Sequence, residues 1–532
     1  MFSKDSFVRR HKIISAVLVL LLLVVLFLGY RMKGPHRRYR LDFVKAGDAA
    51  PDRLWVGVAK RDITPDLEKY DTYNDVDNNN RYEKKKGDTY NDRNGNGKFD
   101  PVWLAGFNSN RPAKGVHDPL LVRAIAFRNN GVTLAMVTLD SIGVCHEKFI
   151  DVRKSIDPAL DIDHVMFSSL HIHEVPDTMG IWSGPIPTPW SFDYGYMDLV
   201  KRACKEAVEE AVRNLEPANM QCVQVDLPPE GFVDDSRKPT VYDRTLCCAR
   251  FVKPGTDETL ATLVSIGNHP ETLGGGNPLI TADFCHYWRE GVEQGVPEPN
   301  GVEGFGGMCL YFQGMVGGLM TQLHTTVPHR NGVDKFEGGT FEKAQALGEN
   351  YAIAAVKALR GEAVVQCEQP RVAVAAKTVY APMAGLFKYA IALGLIHPGV
   401  YWGFKARSEI NVIRVGDLEI LTVPGELYPE IGDGGIEAPP GQDFAIAPVE
   451  VPPLRGEMQG KVNMIIGLAN DEIGYIIPKS QWDTEPPHAY REKAQYGEEN
   501  SGGPDLAPTL HRESLALLER MHRALEASSA TS

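Results

Sequence analysis

Apolar residues along this chain follow two unlike patterns, one long uncharged run near the start and many short runs afterwards. The long run, residues 13–30 (IISAVLVLLLLVVLFLGY), is at the short end of what crosses a bilayer as a helix. Beyond residue 53, strand-like runs fall at 54–58, 132–139, 164–167, 260–266, 411–415, 418–423 and 462–466. Helical patterns fall between them at 197–215 and 341–359, and a closing one at 508–526. Strands alternating with helices predict an α/β body. No linker rich in Pro, Gly or Ser divides it, so residues 53–532 are expected to form one large domain with a mixed sheet and packed helices.

The apolar run is followed by Arg31, Met32 and Lys33 rather than by a small-residue cleavage site, which favours an uncleaved signal anchor over a removed signal peptide. The expected order is a short cytoplasmic tail (1–12), a single transmembrane helix (13–30), a basic tether (31–52) and the globular body. Lys4, Arg9, Arg10 and Lys12 before the run nearly balance Arg31, Lys33, Arg37, Arg38 and Arg40 after it, so charge alone does not orient the helix. A large body behind one N-terminal apolar segment usually crosses the membrane. It is therefore expected outside the cytoplasm, in a periplasmic or extracellular space.

A formal charge of −13 and a pI near 5.7 argue against a broad nucleic-acid-binding surface. Eight cysteines, at 145, 204, 222, 247, 248, 285, 309 and 367, contain no C-x-x-C pair, which removes a zinc ribbon from consideration. Spacing alone leaves their pairing open.

The segment DTYND occurs twice, at 71–75 and 88–92, inside an Asp/Asn-rich insertion over 71–100. The second copy continues as Asp92, Asn94, Asn96, Gly97 and Asp100, which follows the first half of a calcium loop: oxygen donors at alternate positions, then a turn-forming glycine. Trp103 stands where the closing bidentate Glu would be, so two readings remain, a calcium ion pinning a long insertion and a solvated acidic loop.

The densest chemistry lies just past the run ending near Phe167, where His171, His173, Glu174 and Asp177 crowd into seven positions. In an extended chain side chains two apart share a face, so His171 and His173 can converge on one ion. Other strand-like runs also end on polar residues: 260–266 on His269, 418–423 on Pro424-Gly425-Glu426, and 462–466 on a segment reaching Gly474-Tyr475. In open α/β sheets, sites are built at that edge.

These residues resemble the catalytic domain of the neutral/alkaline non-lysosomal ceramidase family over about residues 53–505. The likeness is carried by Val56-Gly57-Val58 through Thr64-Pro65, Gly106-Phe107, Gly115-Val116-His117, Arg123-Ala124 and Leu139-Asp140. It continues in order through His171-Ile172-His173, Gln313-Gly314, Pro424-Gly425-Glu426 and Gly474-Tyr475. The resemblance implies a zinc amidase acting on N-acyl lipids, with His171, His269, Glu426 and Tyr475 as metal ligands and His173 beside them. Zinc with a mixed N/O ligand set suits activation of water. His173, Glu174 and Asp177 are then the candidates for proton transfer or for orienting a ligand.

Two positions depart from the family. Its serine-bearing motif falls where this chain has Gly317-Gly318-Leu319-Met320-Thr321, and Glu174 replaces the serine after the second histidine. The chain also ends soon after the tyrosine motif, without the family's C-terminal immunoglobulin-like domain. An apolar, aromatic stretch at 382–403 reads either as core or as a lipid-facing flap. The expected function is a membrane-anchored zinc hydrolase cleaving an amide. A metal-dependent esterase or lactonase, and a non-catalytic binding protein on the same fold, are the competing readings.

Overall fold

A computed structural model describes residues 4–31, 34–48, 52–183, 192–367, 370–385, 388–389, 400–401 and 404–530. In chain order its main elements begin with α1 (Lys4–Arg31), β1 (Asp42–Ala46), β2 (Leu54–Asp62), β3 (Leu121–Asn129), β4 (Val132–Leu139), α2 (His146–Ser155) and β5 (His164–Ser169). Next come α3 (Tyr194–Arg213), β6 (Glu216–Asp226), β7 (Thr245–Val252), β8 (Thr259–Ile266), α4 (Phe284–Gln294), β9 (Met308–Gln313) and α5 (Phe341–Arg360). The last are β10 (Val365–Cys367), β11 (Val372–Pro382), β12 (Lys405–Val415), β13 (Leu418–Thr422), β14 (Val462–Ile466) and α6 (Leu506–Ala530). The strand-like runs and the three helical patterns read from the sequence all fall within these elements or overrun them by one or two residues.

Nine strands form a mixed sheet in the order β9-β8-β7-β6-β2-β3-β4-β5, with β10 added beside β6. A second sheet runs β1-β11-β12-β13-β14. Period-two alternation explains why they stack. On β3, Val122, Ala124 and Ala126 face the helices, while Ile125 and Phe127 face the second sheet, and β4 divides its apolar residues the same way. Helices α3, α4 and α5 therefore cover one side of the first sheet, the second sheet covers the other, and α6 closes the outer face of the second sheet.

Gly57 on β2 permits a close approach of α3. A Cβ there would lie 2.1 Å from the Ala211 carbonyl oxygen of α3.

Residues 34–48 depart from the tether expected over 31–52. β1 pairs antiparallel with β11 from Asp42↔Lys377 to Ala46↔Ala373 and adds an edge strand to the second sheet. Ahead of it, the Tyr39 hydroxyl accepts a hydrogen bond from Arg153 on α2 at 2.8 Å. The same guanidinium grips Glu409 of β12 at 2.6 and 2.9 Å and donates to Asn470 Oδ1 at 2.8 Å. The polar, basic composition of this stretch hides an edge strand whose inward residues are few. α1 is the one helix among the described residues long and apolar enough to cross a membrane, at His11–Tyr30. No disulfide forms among the described residues.

Arg153→Ala should be strongly destabilising, because Glu409 is fully buried and would lose its main counter-charge. Denaturant unfolding is expected to show a loss of about 3–5 kcal/mol.

Candidate metal centre

The strands that carry the predicted ligands form parallel pairs: β4 with β5, β8 with β9, and β13 with β14. The chain leaves β5, β8, β13 and β14 at one end of the two stacked sheets. There the turns of the two sheets bond to each other. Asn470 N–H donates to the Phe167 carbonyl at 2.7 Å, Ser169 N–H to Leu468 at 3.1 Å, and Gly467 N–H to Gln313 at 3.0 Å. The Gln313 side-chain amide, at the tip of β9, donates to the carbonyls of Leu170 and Asn268 at 2.8 Å each. One side chain thus clips together the residues immediately before His171 and His269.

His171, His269, Glu426 and Tyr475 converge. Glu426 Oε2 lies 3.0 Å from His269 Nε2 and 3.5 Å from His171 Nε2, and the Tyr475 hydroxyl lies 3.5 Å from His269 Nε2. Glu426 and Tyr475 are directly paired in a short parallel ladder of Glu426–Leu427 with Tyr475–Ile476. His171, His173 and His269 bring one ring nitrogen each within 4.8 Å of one another, the only such grouping of potential metal ligands among the described residues. His171 reaches this point with φ of +65°, a left-handed conformation uncommon for a residue with a side chain.

The outer nitrogens define which lone pairs face inward. His171 Nδ1 lies 2.7 Å from the Ile142 carbonyl and His269 Nδ1 lies 2.6 Å from the Met320 carbonyl. A carbonyl only accepts, so each Nδ1 carries the hydrogen and each neutral ring turns a bare Nε2 lone pair toward the Glu426 carboxylate. Two lone pairs and an anionic oxygen at this spacing repel unless a cation or a proton lies between them. The donor set therefore fits a metal ion.

Burial lowers the pKa of His171 to about 4, against the pull of Glu426. Burial also works against a charge on His269, but its bond to Glu426 leaves the pKa raised. Glu426 itself is held low by His171 and His269 despite its burial.

His173 joins the imidazole group more closely than a supporting role requires. Its Nδ1 lies 3.2 Å from Glu271 Oε2, and its Nε2 has no hydrogen-bond partner among the described residues. Burial opposes a charge on Glu271, yet His173 holds its pKa down to about 2. The approach depends on Gly106, whose φ is +102° and where a Cβ would lie 2.4 Å from that of His173.

The other two proton-transfer candidates are engaged elsewhere. Asp177 accepts from the N–H groups of Met179, Gly180 and Trp182 and from the Ser183 hydroxyl, all at 2.7–2.9 Å, and so staples its own loop. Glu174 is fully buried beside Asp283, Arg111 and Asp118, where burial pushes its carboxyl well up. Neither residue lines the cavity onto which His171 and His173 open. Glu271, Glu472 and Gln313 enter the site without having been singled out for it; their signal was proximity to the strand ends that carry the ligands.

That cavity, about 200 Å³, is walled by Ile142, Met179, Ile181, Trp182, Met383 and Ile473 around the polar cluster. Most of the apolar stretch 382–403 lies outside the described residues, although Met383 at its start reaches the cavity. A larger groove of about 870 Å³ beside α6 contains none of the predicted ligands.

The repeated DTYND segments pair with each other as an antiparallel hairpin, Thr72↔Asn91 through Asn74↔Thr89. In the second loop Asp92 accepts from the N–H groups of Gly95 and Gly97 at 2.7 Å each, and Asn96 Nδ2 donates to Asp100 at 2.6 Å. Asn94 Oδ1 accepts from the Asn96 N–H at 3.0 Å. The loop's oxygens thus already bond to its own backbone and side chains.

No family model matches the chain, and no curated protein matches it significantly in sequence. Solved structures do. Neutral ceramidase from Pseudomonas aeruginosa superposes with a TM-score of 0.61 at 14% identity, covering 88% of this chain and 75% of that one. A ceramidase complexed with C2 superposes with a TM-score of 0.60 at 13% identity, covering 88% and 76%. The fold is ceramidase-like, and at such identity the likeness is one of fold.

Protons and a metal compete for the same Nε2 atoms. As pH falls below the raised pKa of His269, zinc affinity should drop by about tenfold per unit while that group alone protonates. A chelator-competition titration from about pH 8 to about pH 5 reads this slope.

Proposed function

We propose that this protein is a zinc-dependent hydrolase that cleaves the amide of an N-acyl lipid or a related amphipathic amide. It is anchored through residues 13–30 with its body in a periplasmic or extracellular space. The observation that carries the reading is the pair of Nε2 atoms of His171 and His269 turned on the Glu426 carboxylate, with Tyr475 beside them.

These four residues would hold the ion. Zinc bound there supplies a Lewis acid that polarises a carbonyl and lowers the pKa of water towards about 7. The Ile142 and Met320 carbonyls fix the two imidazoles in the tautomer such binding needs. His173, oriented by Glu271, is placed to take a proton from an attacking water. Ile142, Met179, Ile181 and Trp182 offer an apolar wall to an acyl group. Gly317 to Thr321, which lacks the serine of the resembled family, contributes the Met320 carbonyl that orients His269.

The cavity volume of about 200 Å³ is below the usual range for drug-sized ligands. It favours, as a second reading, a small ester or lactone as the scissile group.

Purified full-length protein is expected to bind one zinc per chain and to hydrolyse at least one member of a panel of N-acyl amides, esters and lactones. His171→Ala and His269→Ala should lose the metal and reduce turnover by about a thousandfold or more. Unchanged metal content in both variants would sink the ligand assignment, and a zinc-loaded protein inert on the whole panel would favour a binding role.

The same proposal gives the 92–100 loop a calcium ion held by Asp92, Asn94, Asn96 and Asp100. Calcium should then slow proteolysis within 71–100, and Asp92→Asn should remove the protection. Equal cleavage with calcium and with chelator would leave the hairpin as a self-satisfied turn.

A further inference from the structure

With Asp177 committed to its loop and Glu174 outside the cavity, one carboxyl among the described residues besides the proposed ligand Glu426 lines the space onto which His171 and His173 open. It is Glu472, three residues before Tyr475. Its side chain is held in place from two sides. Oε1 accepts from the Gly474 N–H at 2.8 Å. The Cβ and Cγ lie against Gly143, where an added Cβ would come within 2.9 Å of both. Gly143 follows Ile142, whose carbonyl orients His171, so Glu472 is clamped between the turn that orients one proposed ligand and the turn that carries another, Tyr475.

Its other oxygen, Oε2, is buried and has no hydrogen-bond partner among the described residues. A buried oxygen left without a partner costs free energy, which a substrate atom in the cavity would recover. Among the described residues, no lysine or arginine lines the cavity to pair with it. Burial, and after it the carboxylates of Glu426 and Asp471, push its carboxyl well up.

We propose that Glu472 is a catalytic residue that donates its Oε2 proton to the leaving group, a role that rests on the hydrolase reading above. The step balances. Water oxygen bonds to the carbonyl carbon, the bond from carbon to the leaving nitrogen breaks, and nitrogen keeps that electron pair and takes the proton from Glu472. The proton given up by the attacking water passes by way of His173 back to the Glu472 carboxylate. The sum is amide plus water giving carboxylic acid plus amine.

The test exploits leaving groups. An alkylamine must be protonated to depart, whereas 4-nitrophenolate departs without a proton. Zinc-loaded full-length wild type and Glu472→Gln are compared on an N-acyl alkylamide and on the 4-nitrophenyl ester of the same acyl group. Glu472→Gln should lower kcat on the amide by about a hundredfold or more, with a loss on the ester at least about tenfold smaller and zinc content unchanged.

Equal losses on both substrates, or no loss on either, overturn the role of Glu472 and leave the hydrolase reading standing. Wild type inert on both overturns that reading and this one with it. If Glu472→Gln fails to hold zinc, Glu472→Asp supplies the comparison: it keeps the proton but withdraws it by one methylene, and the same selective loss on the amide is required.

Discussion

Two sheets packed face to face through apolar side chains can slide, because burial of apolar surface has no preferred direction. In this protein the sliding is stopped at one end by polar contacts between turns. Asn470 bonds to the Phe167 carbonyl, Gly467 to Gln313, and Gln313 reaches both Leu170 and Asn268. The histidines come from the first sheet and Glu426 and Tyr475 from the second, so their meeting depends on this junction. Arg153 extends the same network, tying Glu409 of the second sheet, Tyr39 of the N-terminal segment and the Asn470 side chain into one buried cluster.

The junction explains the electrostatic character of the site. Once strand ends are fixed, each imidazole is turned by a backbone carbonyl, and its other ring nitrogen faces Glu426. The neutral protein carries an unfavourable grouping of lone pairs and a carboxylate, stabilised by the folding of two sheets around it. Such a grouping is the kind of local cost that active sites tolerate and that a cation relieves. The positive φ of His171 belongs to the same account.

Much of this was legible in the chain because strand ends leave a trace: an apolar run followed within a few residues by a polar residue of chemical interest. His171, His269 and Glu426 carry that signature, Tyr475 lies nine residues past its run, and the structure brings the four together. What the trace does not carry is the direction of side chains in the turns beyond. His173, Glu174 and Asp177 look alike as neighbours of His171, yet one faces the imidazole group, one is sealed behind it and one bonds to its own loop. Glu472, in an unremarkable acidic pair, faces the cavity. β1 escaped notice for a different reason, since an edge strand among arginines and polar residues shows little alternation and depends on the sheet it joins.

The docking of residues 34–48 sets a length. The last described residue of α1 is Arg31 and the next described residue is Gly34, and three residues of extended chain span at most about 11 Å. If α1 crosses a bilayer, the body has almost no leash and stays close to the surface, with Ala406 on the cavity wall next to Arg407, which bonds to His36.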